Sequence, residues 1–203
     1  MSRNAIVTRD PSSWSARLWA DIEPIYGAVL AHPFLTGLVD GDLDDAVFAH
    51  YVAQDLLYLR DYARALAVVG AKAPTPADTA LFARHAAEVH DAELAMHDEL
   101  LPQLDLDPRA TAAATPGPTT VAYTNYLLAT AHAGGFADGL AAVLPCYWIY
   151  ARVGLELVGR GSPDPRYQRW IDTYAGPEFT ASAAEVLALA DRVGAGLSSA
   201  DEA

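Results

Sequence analysis

Cysteine is almost absent from this sequence, since Cys146 is the only one among 203 residues. A single thiol excludes an internal disulfide framework and is typical of a reducing compartment. The first ten residues lack the apolar core of a secretory signal peptide, and we find no apolar run of membrane-span length. These absences predict a soluble cytoplasmic protein that does not enter a membrane.

Basic residues are also scarce. The chain has 13 Lys and Arg against 26 Asp and Glu, which gives a formal net charge of −13, and the basic residues form no cluster. Because nucleic acids and anionic membranes are bound through basic patches, we expect neither as a partner. Glycine-rich phosphate loops, the Gly-x-Ser-x-Gly elbow and zinc-type cysteine pairs are missing too. We therefore expect no bound cofactor and no metal.

The pattern that is present is helical. Apolar residues recur at three- and four-residue steps through long segments, and β-branched runs are rare. This pattern predicts an all-α protein, a single-domain bundle of long helices packed side by side. The predicted helices cover residues 13–32, 42–72, 76–103, 119–134, 136–159, 165–174 and 177–194.

Capping residues mark several of these boundaries. Thr75, followed by Asp78, predicts the start of one helix, and Asp42 is expected to cap another. Ser199 and Glu202 have the spacing of a capping box, which announces one more helix, yet only one residue follows. Either the tail is frayed and polar, or a final helix is missing from this chain.

Cys146 lies in residues 144–150, with the sequence LPCYWIY. The preceding Pro145 removes a backbone hydrogen bond and kinks a helix, so its position needs a reason. A thiol among aromatic residues and within reach of a carboxylate is a possible nucleophile. The alternative is a buried cysteine that packs as a small apolar side chain.

A stripe of polar and aromatic residues follows the second predicted helix. Tyr51, Asp55, Tyr58 and Tyr62 are spaced four, three and four apart and share one face. A buried Asp is costly unless it is paired. The stripe is therefore either a structural hydrogen-bond network or the wall of a pocket in which Asp55 orients or protonates a polar ring.

Other helices also carry aromatic residues at helical spacing. Such stripes belong to a core more often than to a ligand cage, but here four helices each offer tyrosines, whose hydroxyl groups need partners when buried. The remaining aromatic positions are Tyr123, Tyr126, Tyr150, Tyr167, Trp170 and Tyr174.

His90, Glu93 and His97 share a face of the third predicted helix, a spacing that can bind metal in a helical bundle. The first two predicted helices offer no matching Glu-x-x-His pair, so a solvated face is favoured over a metal site. A metal oxidase using these three residues remains an alternative.

Several segments together resemble the TenA/thiaminase II family. They are His32-Pro33-Phe34-Leu35 with Gly37 and Asp40-Gly41, Phe48 and Tyr51 with residues 54–59 (QDLLYL), residues 122–124 with Gly135-Phe136, residues 144–150, and Tyr167 with Trp170, Ile171 and Tyr174. These segments occur in the family's order across roughly residues 13–193.

The resemblance implies a haem-oxygenase-like helical fold without haem, assembled as a homotetramer. It implies hydrolysis of an aminopyrimidine or of thiamin, which releases hydroxymethyl-pyrimidine for salvage. Cys146 matches the family's nucleophile and Asp55 the acid that contacts the pyrimidine and supports the thiol. The pocket tyrosines of the family match Tyr58, Tyr123, Tyr150 and Tyr174. We expect Cys146 and Asp55 to line one shared cavity.

The family also places a catalytic Glu on a final helix, and this sequence stops where that helix is expected to start. Glu202 lies too early to match that Glu. A non-catalytic pyrimidine-binding or regulatory protein is therefore a further alternative.

Overall fold

The computed structural model describes residues 6, 10–99, 101–104, 106–107, 109, 111 and 113–197, without the side chains of residues 92–99. Most of the described residues are helical and none of them lies in a β-strand, which confirms the all-α prediction. The helices are α1 (Trp14–Leu30), α2 (Pro33–Asp40), α3 (Asp45–Ala71), α4 (Pro76–Glu99), α5 (Pro118–Ala133), α6 (Phe136–Leu157), α7 (Pro165–Ala175) and α8 (Pro177–Gly194), with a 3₁₀ turn at Pro102–Leu104.

Prolines and polar caps set many of these boundaries. Proline suits the first helical position because its missing N–H has no partner there and its φ is already helical, and the first residues of α2, α4, α5, α7 and α8 are Pro33, Pro76, Pro118, Pro165 and Pro177. The predicted cap at Thr75 is confirmed, since its Oγ1 accepts from the Asp78 N–H at 3.1 Å.

Two details near the second helix were predicted wrongly. The α3 cap is Asp44 rather than Asp42, and its Oδ1 accepts from the Ala46 N–H at 2.7 Å. Residues 33–40, which lie between two predicted helices, form the short helix α2, capped by the His32 ring at its start and by Gly41 with a left-handed φ of 75° at its end. The capping box at Ser199 and Glu202 lies outside the described residues.

The chain divides into two compact units, one of residues 1–43 with 144–203 and one of residues 44–143. The single-domain assignment stays a prediction. In the second unit, α3 packs on both α4 and α5. Glycine permits close approach here, because a Cβ on Gly70 would lie 2.9 Å from the Phe82 Cβ, and one on Gly139 would lie 2.8 Å from the Val69 Cγ2.

In the first unit, an aromatic group joins α1 to the later part of α6. The Trp19 ring lies 5.0 Å from the Trp148 ring and 4.9 Å from the Tyr26 ring, centroid to centroid. The Arg152 guanidinium lies 4.1 Å above Trp19, a cation–π contact that further ties α6 to α1. Gly154 lets α6 meet α7, since a Cβ there would lie 2.5 Å from the Tyr174 carbonyl carbon.

One described helix, α6, has the length and apolar composition of a possible membrane span, which corrects the expectation that no segment reaches that length. Within the structure 61% of its most apolar window is buried, as in the core helix of a globular protein. The bent pair of α1 and α2 passes the same test only if it is taken as one span.

Candidate functional site

Asp55 lies in the middle of α3 and is buried, with 9% of its surface exposed. Burial alone raises the pKa of Asp55 to about 7, because a carboxylate loses its hydration in an apolar environment. The group is therefore an acid that exchanges its proton near neutral pH.

Three tyrosine rings stack beside Asp55 in the second unit. Tyr58 lies one helical turn after Asp55, and its ring stacks on Tyr123 of α5 with centroids 5.5 Å apart and planes 3° apart. The Tyr62 ring also stacks on Tyr58, with centroids 5.4 Å apart and planes 20° apart. Tyr62 donates to the Val143 carbonyl at 3.4 Å. The structure thus brings together Asp55, Tyr58 and Tyr123, three of the predicted site residues.

The other members of the predicted stripes have different environments. Tyr51 stacks on Phe48 with centroids 6.3 Å apart and planes 19° apart. Tyr126, one turn after Tyr123, is 59% exposed.

Cys146 lies in the first unit, just after Pro145 within α6, and is 7% exposed. Pro145 has no N–H to donate to the preceding turn, so the helix is weakened next to the thiol. Tyr150 lies one turn further along and shares the helix face of Cys146. This places the predicted nucleophile and one predicted pocket tyrosine on the same side of α6.

Tyr150 belongs to an aromatic cluster that α7 and α8 complete. The Tyr174 ring lies 4.7 Å from Tyr150 and 4.8 Å from Trp170. Phe179 of α8 meets Tyr174 edge-on, with centroids 5.0 Å apart. Tyr150 and Tyr174 were predicted to line the pocket, whereas Phe179, which lies in the first turn of the helix that follows Tyr174, was not predicted.

That Cys146 and Asp55 share one cavity stays a prediction. For the metal alternative, His90 is exposed on α4, whereas the side chains of Glu93 and His97 lie outside the described residues. Within the residues whose side chains are described, no group of three or more His, Cys, Asp or Glu side chains is placed to hold a metal ion.

Comparisons with a family model, with curated sequences and with solved structures all relate this chain to the same family. The sequence model of the TENA/THI-4/PQQC family matches residues 19–202. The aminopyrimidine aminohydrolase of Halalkalibacterium halodurans is 35% identical over 193 residues, which are 94% of this chain and 86% of that protein. The thiamine biosynthesis multifunctional protein ThiED of Corynebacterium efficiens is 37% identical over 90% of this chain, which spans only 24% of that longer protein.

Among solved structures, a TenA homologue from P. horikoshii OT3 superposes with a TM-score of 0.86 at 30% identity, covering 94% of this chain and 89% of its own. A TenA family transcription regulator from Silicibacter sp. TM1040 superposes with a TM-score of 0.82 at 28% identity, covering 88% of this chain and 79% of its own.

Proposed function

Because this chain belongs to the TENA/THI-4/PQQC family, we propose that it is an aminopyrimidine aminohydrolase of the thiaminase II type. Such an enzyme uses water to replace the amine on the exocyclic carbon of a pyrimidine with a hydroxyl group, and it releases hydroxymethyl-pyrimidine. The relatives named aminopyrimidine aminohydrolase support this assignment. The observation that carries it is Asp55, a buried and protonatable carboxyl group beside a stack of tyrosine rings.

The proposed roles follow from the chemistry of each group. The Cys146 thiolate adds to a ring carbon, and Asp55 gives a proton to the ring, so that electrons can be pushed toward the exocyclic carbon. The carbon–nitrogen bond then breaks, and the amine, which enters as an ammonium group, leaves as the neutral amine. Water adds to the exocyclic carbon and gives its proton to the released amine, the carbon–sulfur bond breaks to restore the thiolate, and Asp55 recovers its proton from the ring. The net reaction consumes one water and releases one amine.

The tyrosines bind the substrate and take no part in breaking its carbon–nitrogen bond. A pyrimidine is a flat ring with several hydrogen-bonding edges, for which aromatic faces and hydroxyl groups are suitable partners. We assign substrate binding to Tyr58 and Tyr123 beside Asp55, and to Tyr150 and Tyr174 in the aromatic cluster of the first unit. No cofactor and no metal enters this scheme.

The decisive experiment incubates the purified protein with an aminomethyl-pyrimidine and measures ammonia and hydroxymethyl-pyrimidine. We expect the two products in equal amounts. Binding of hydroxymethyl-pyrimidine without any turnover would instead favour the regulatory alternative. Iron or manganese bound in a 1:1 ratio would favour the metal oxidase.

We assign a cytoplasmic location, in agreement with the single cysteine, and a homotetramer as the assembly.

The exposed face of α5 supports association of copies of this chain. This helix contains no Asp, Glu, Lys or Arg, and Val121 and Tyr126 on it are 41% and 59% exposed. In a chain of net charge −13, copies approach with least repulsion along an uncharged face.

Tyr126→Glu is expected to shift the assembly to smaller species, because a charge would be buried in a contact between copies. Light scattering should give a mass about four times 21.6 kDa for the unmodified chain. Ala83→Glu, at an exposed position of α4, adds the same charge elsewhere and should leave the mass unchanged. A stable monomer at micromolar concentration for the unmodified chain contradicts the assembly.

A further inference from the structure

Gln54, the residue before Asp55, joins α3 to the start of α5. Its Oε1 accepts hydrogen bonds from the Gly117 N–H at 2.8 Å and from the Thr120 Oγ1 at 2.7 Å. Its Nε2 lies 3.5 Å from the Thr115 carbonyl, which accepts a weak third bond. Because Gly117 can only donate through its N–H, the amide orientation of Gln54 is fixed by its partners.

Gly117 is the N-cap of α5 and makes no side-chain cap hydrogen bond. In a capping box, the side chain of the third helical residue would return to the N-cap N–H. Here that third residue is Thr120, which instead donates to the same oxygen that caps Gly117. The first turn of α5 is therefore capped from the neighbouring helix rather than by its own residues.

This cap fixes where Tyr123 lies. Gln54 and Tyr58 are one turn apart on α3, and Thr120 and Tyr123 are one turn apart on α5. The Gln54–Thr120 hydrogen bond and the Tyr58–Tyr123 stack thus connect the same two helices at successive turns. A shift of α5 along its axis that breaks the hydrogen bond would therefore also displace the Tyr123 ring from Tyr58.

We propose that Gln54 is a positioning residue, which caps α5 from α3 and thereby holds Tyr123 against Tyr58 beside Asp55. The inference rests on the proposed function, because the ring so positioned is a substrate-binding tyrosine. Gln54 does not touch the substrate in this proposal. It acts on substrate binding through Tyr123.

The opposite end of α5 supplies a matched control. Lys72, at the C-cap of α3, donates through Nζ to the carbonyls of His132 and Gly134 at 2.7 and 2.6 Å. Lys72→Met removes a contact between the same two helices at the end of α5 remote from Tyr123. It should lower the thermal midpoint without changing the position of that ring.

Steady-state kinetics on an aminopyrimidine tests the proposal. Gln54→Leu should raise KM about tenfold and change kcat less than about threefold, because Tyr123 is displaced while Cys146 and Asp55 remain. Gln54→Glu should keep a KM near that of the unmodified chain, since its carboxylate still accepts from Gly117 and Thr120. Lys72→Met should keep that KM as well.

A second readout does not depend on turnover. In protein labelled with 3-fluorotyrosine, the fluorine resonance of Tyr123, assigned by its loss in Tyr123→Phe, should move in Gln54→Leu and stay in place in Lys72→Met. An unmoved resonance in Gln54→Leu overturns the proposal. An equal rise of KM in Gln54→Leu and Lys72→Met also overturns it. If the unmodified chain shows no turnover, the proposed function fails while the resonance still tests the positioning.

Discussion

Cys146→Ser should lower the turnover of an aminopyrimidine by at least about a hundredfold and leave binding of the ring nearly unchanged. The hydroxyl group is almost isosteric with the thiol but much less acidic, so the nucleophile is lost while the tyrosines stay in place. Cys146 is 7% exposed, and a serine of nearly the same volume fits that buried position without a cavity. Measured kcat and KM separate the two effects.

Tyr58→Phe is the matched comparison, because it should weaken binding more than it slows the chemical step. Phe keeps the ring contacts with Tyr62 and Tyr123 and removes only a hydroxyl group, so we expect KM to rise about tenfold and kcat to change little. Near-normal turnover of Cys146→Ser would make the thiol structural. The catalytic role would then move to Asp55 acting on a bound water.

The helices were predictable from the sequence because the residues that start and end a helix act over a few neighbouring positions. Proline at the first position and a cap such as Thr75 act within one turn, so α4 and α8 begin at the predicted residues. The short helix α2 was missed because His32-Pro33 resembles a helix end, and nothing local shows that a new helix begins at the same proline. The cap of α3 is Asp44 and not Asp42, a difference of two residues that lies within the usual uncertainty of a boundary.

The sequence predicts the arrangement of candidate site residues only where those residues lie on the same helix. The spacing of Asp55 and Tyr58 predicts both on one face of a helix, and both residues lie within α3. The stacking of Tyr123 on Tyr58 and the capping of α5 by Gln54 join residues more than 60 positions apart, and periodicity contains no information on such pairs. The one signal for Gln54 was the glycine at the start of α5, which cannot cap its own helix with a side chain.

Asp55→Asn is expected to lower kcat by about a hundredfold or more, because an amide cannot give and recover the proton that the scheme requires. The same substitution should stabilise the protein above neutral pH. The folded state raises the pKa of Asp55 from 3.8 to about 7. Between these values the folded chain binds more protons than the unfolded chain, so the free energy of unfolding falls as pH rises through that window.

The amide of the Asp55→Asn variant does not titrate, so the variant's free energy of unfolding should gain about 2–3 kcal/mol relative to the unmodified chain between pH 5 and pH 8. Urea unfolding of both proteins at several pH values measures this difference. A pH-independent difference would mean that Asp55 is ionised and solvated in the folded state. Lower activity together with higher stability is the result expected of a carboxyl group that is kept buried for catalysis, whereas replacing a structural Asp55 would lower the free energy of unfolding at every pH.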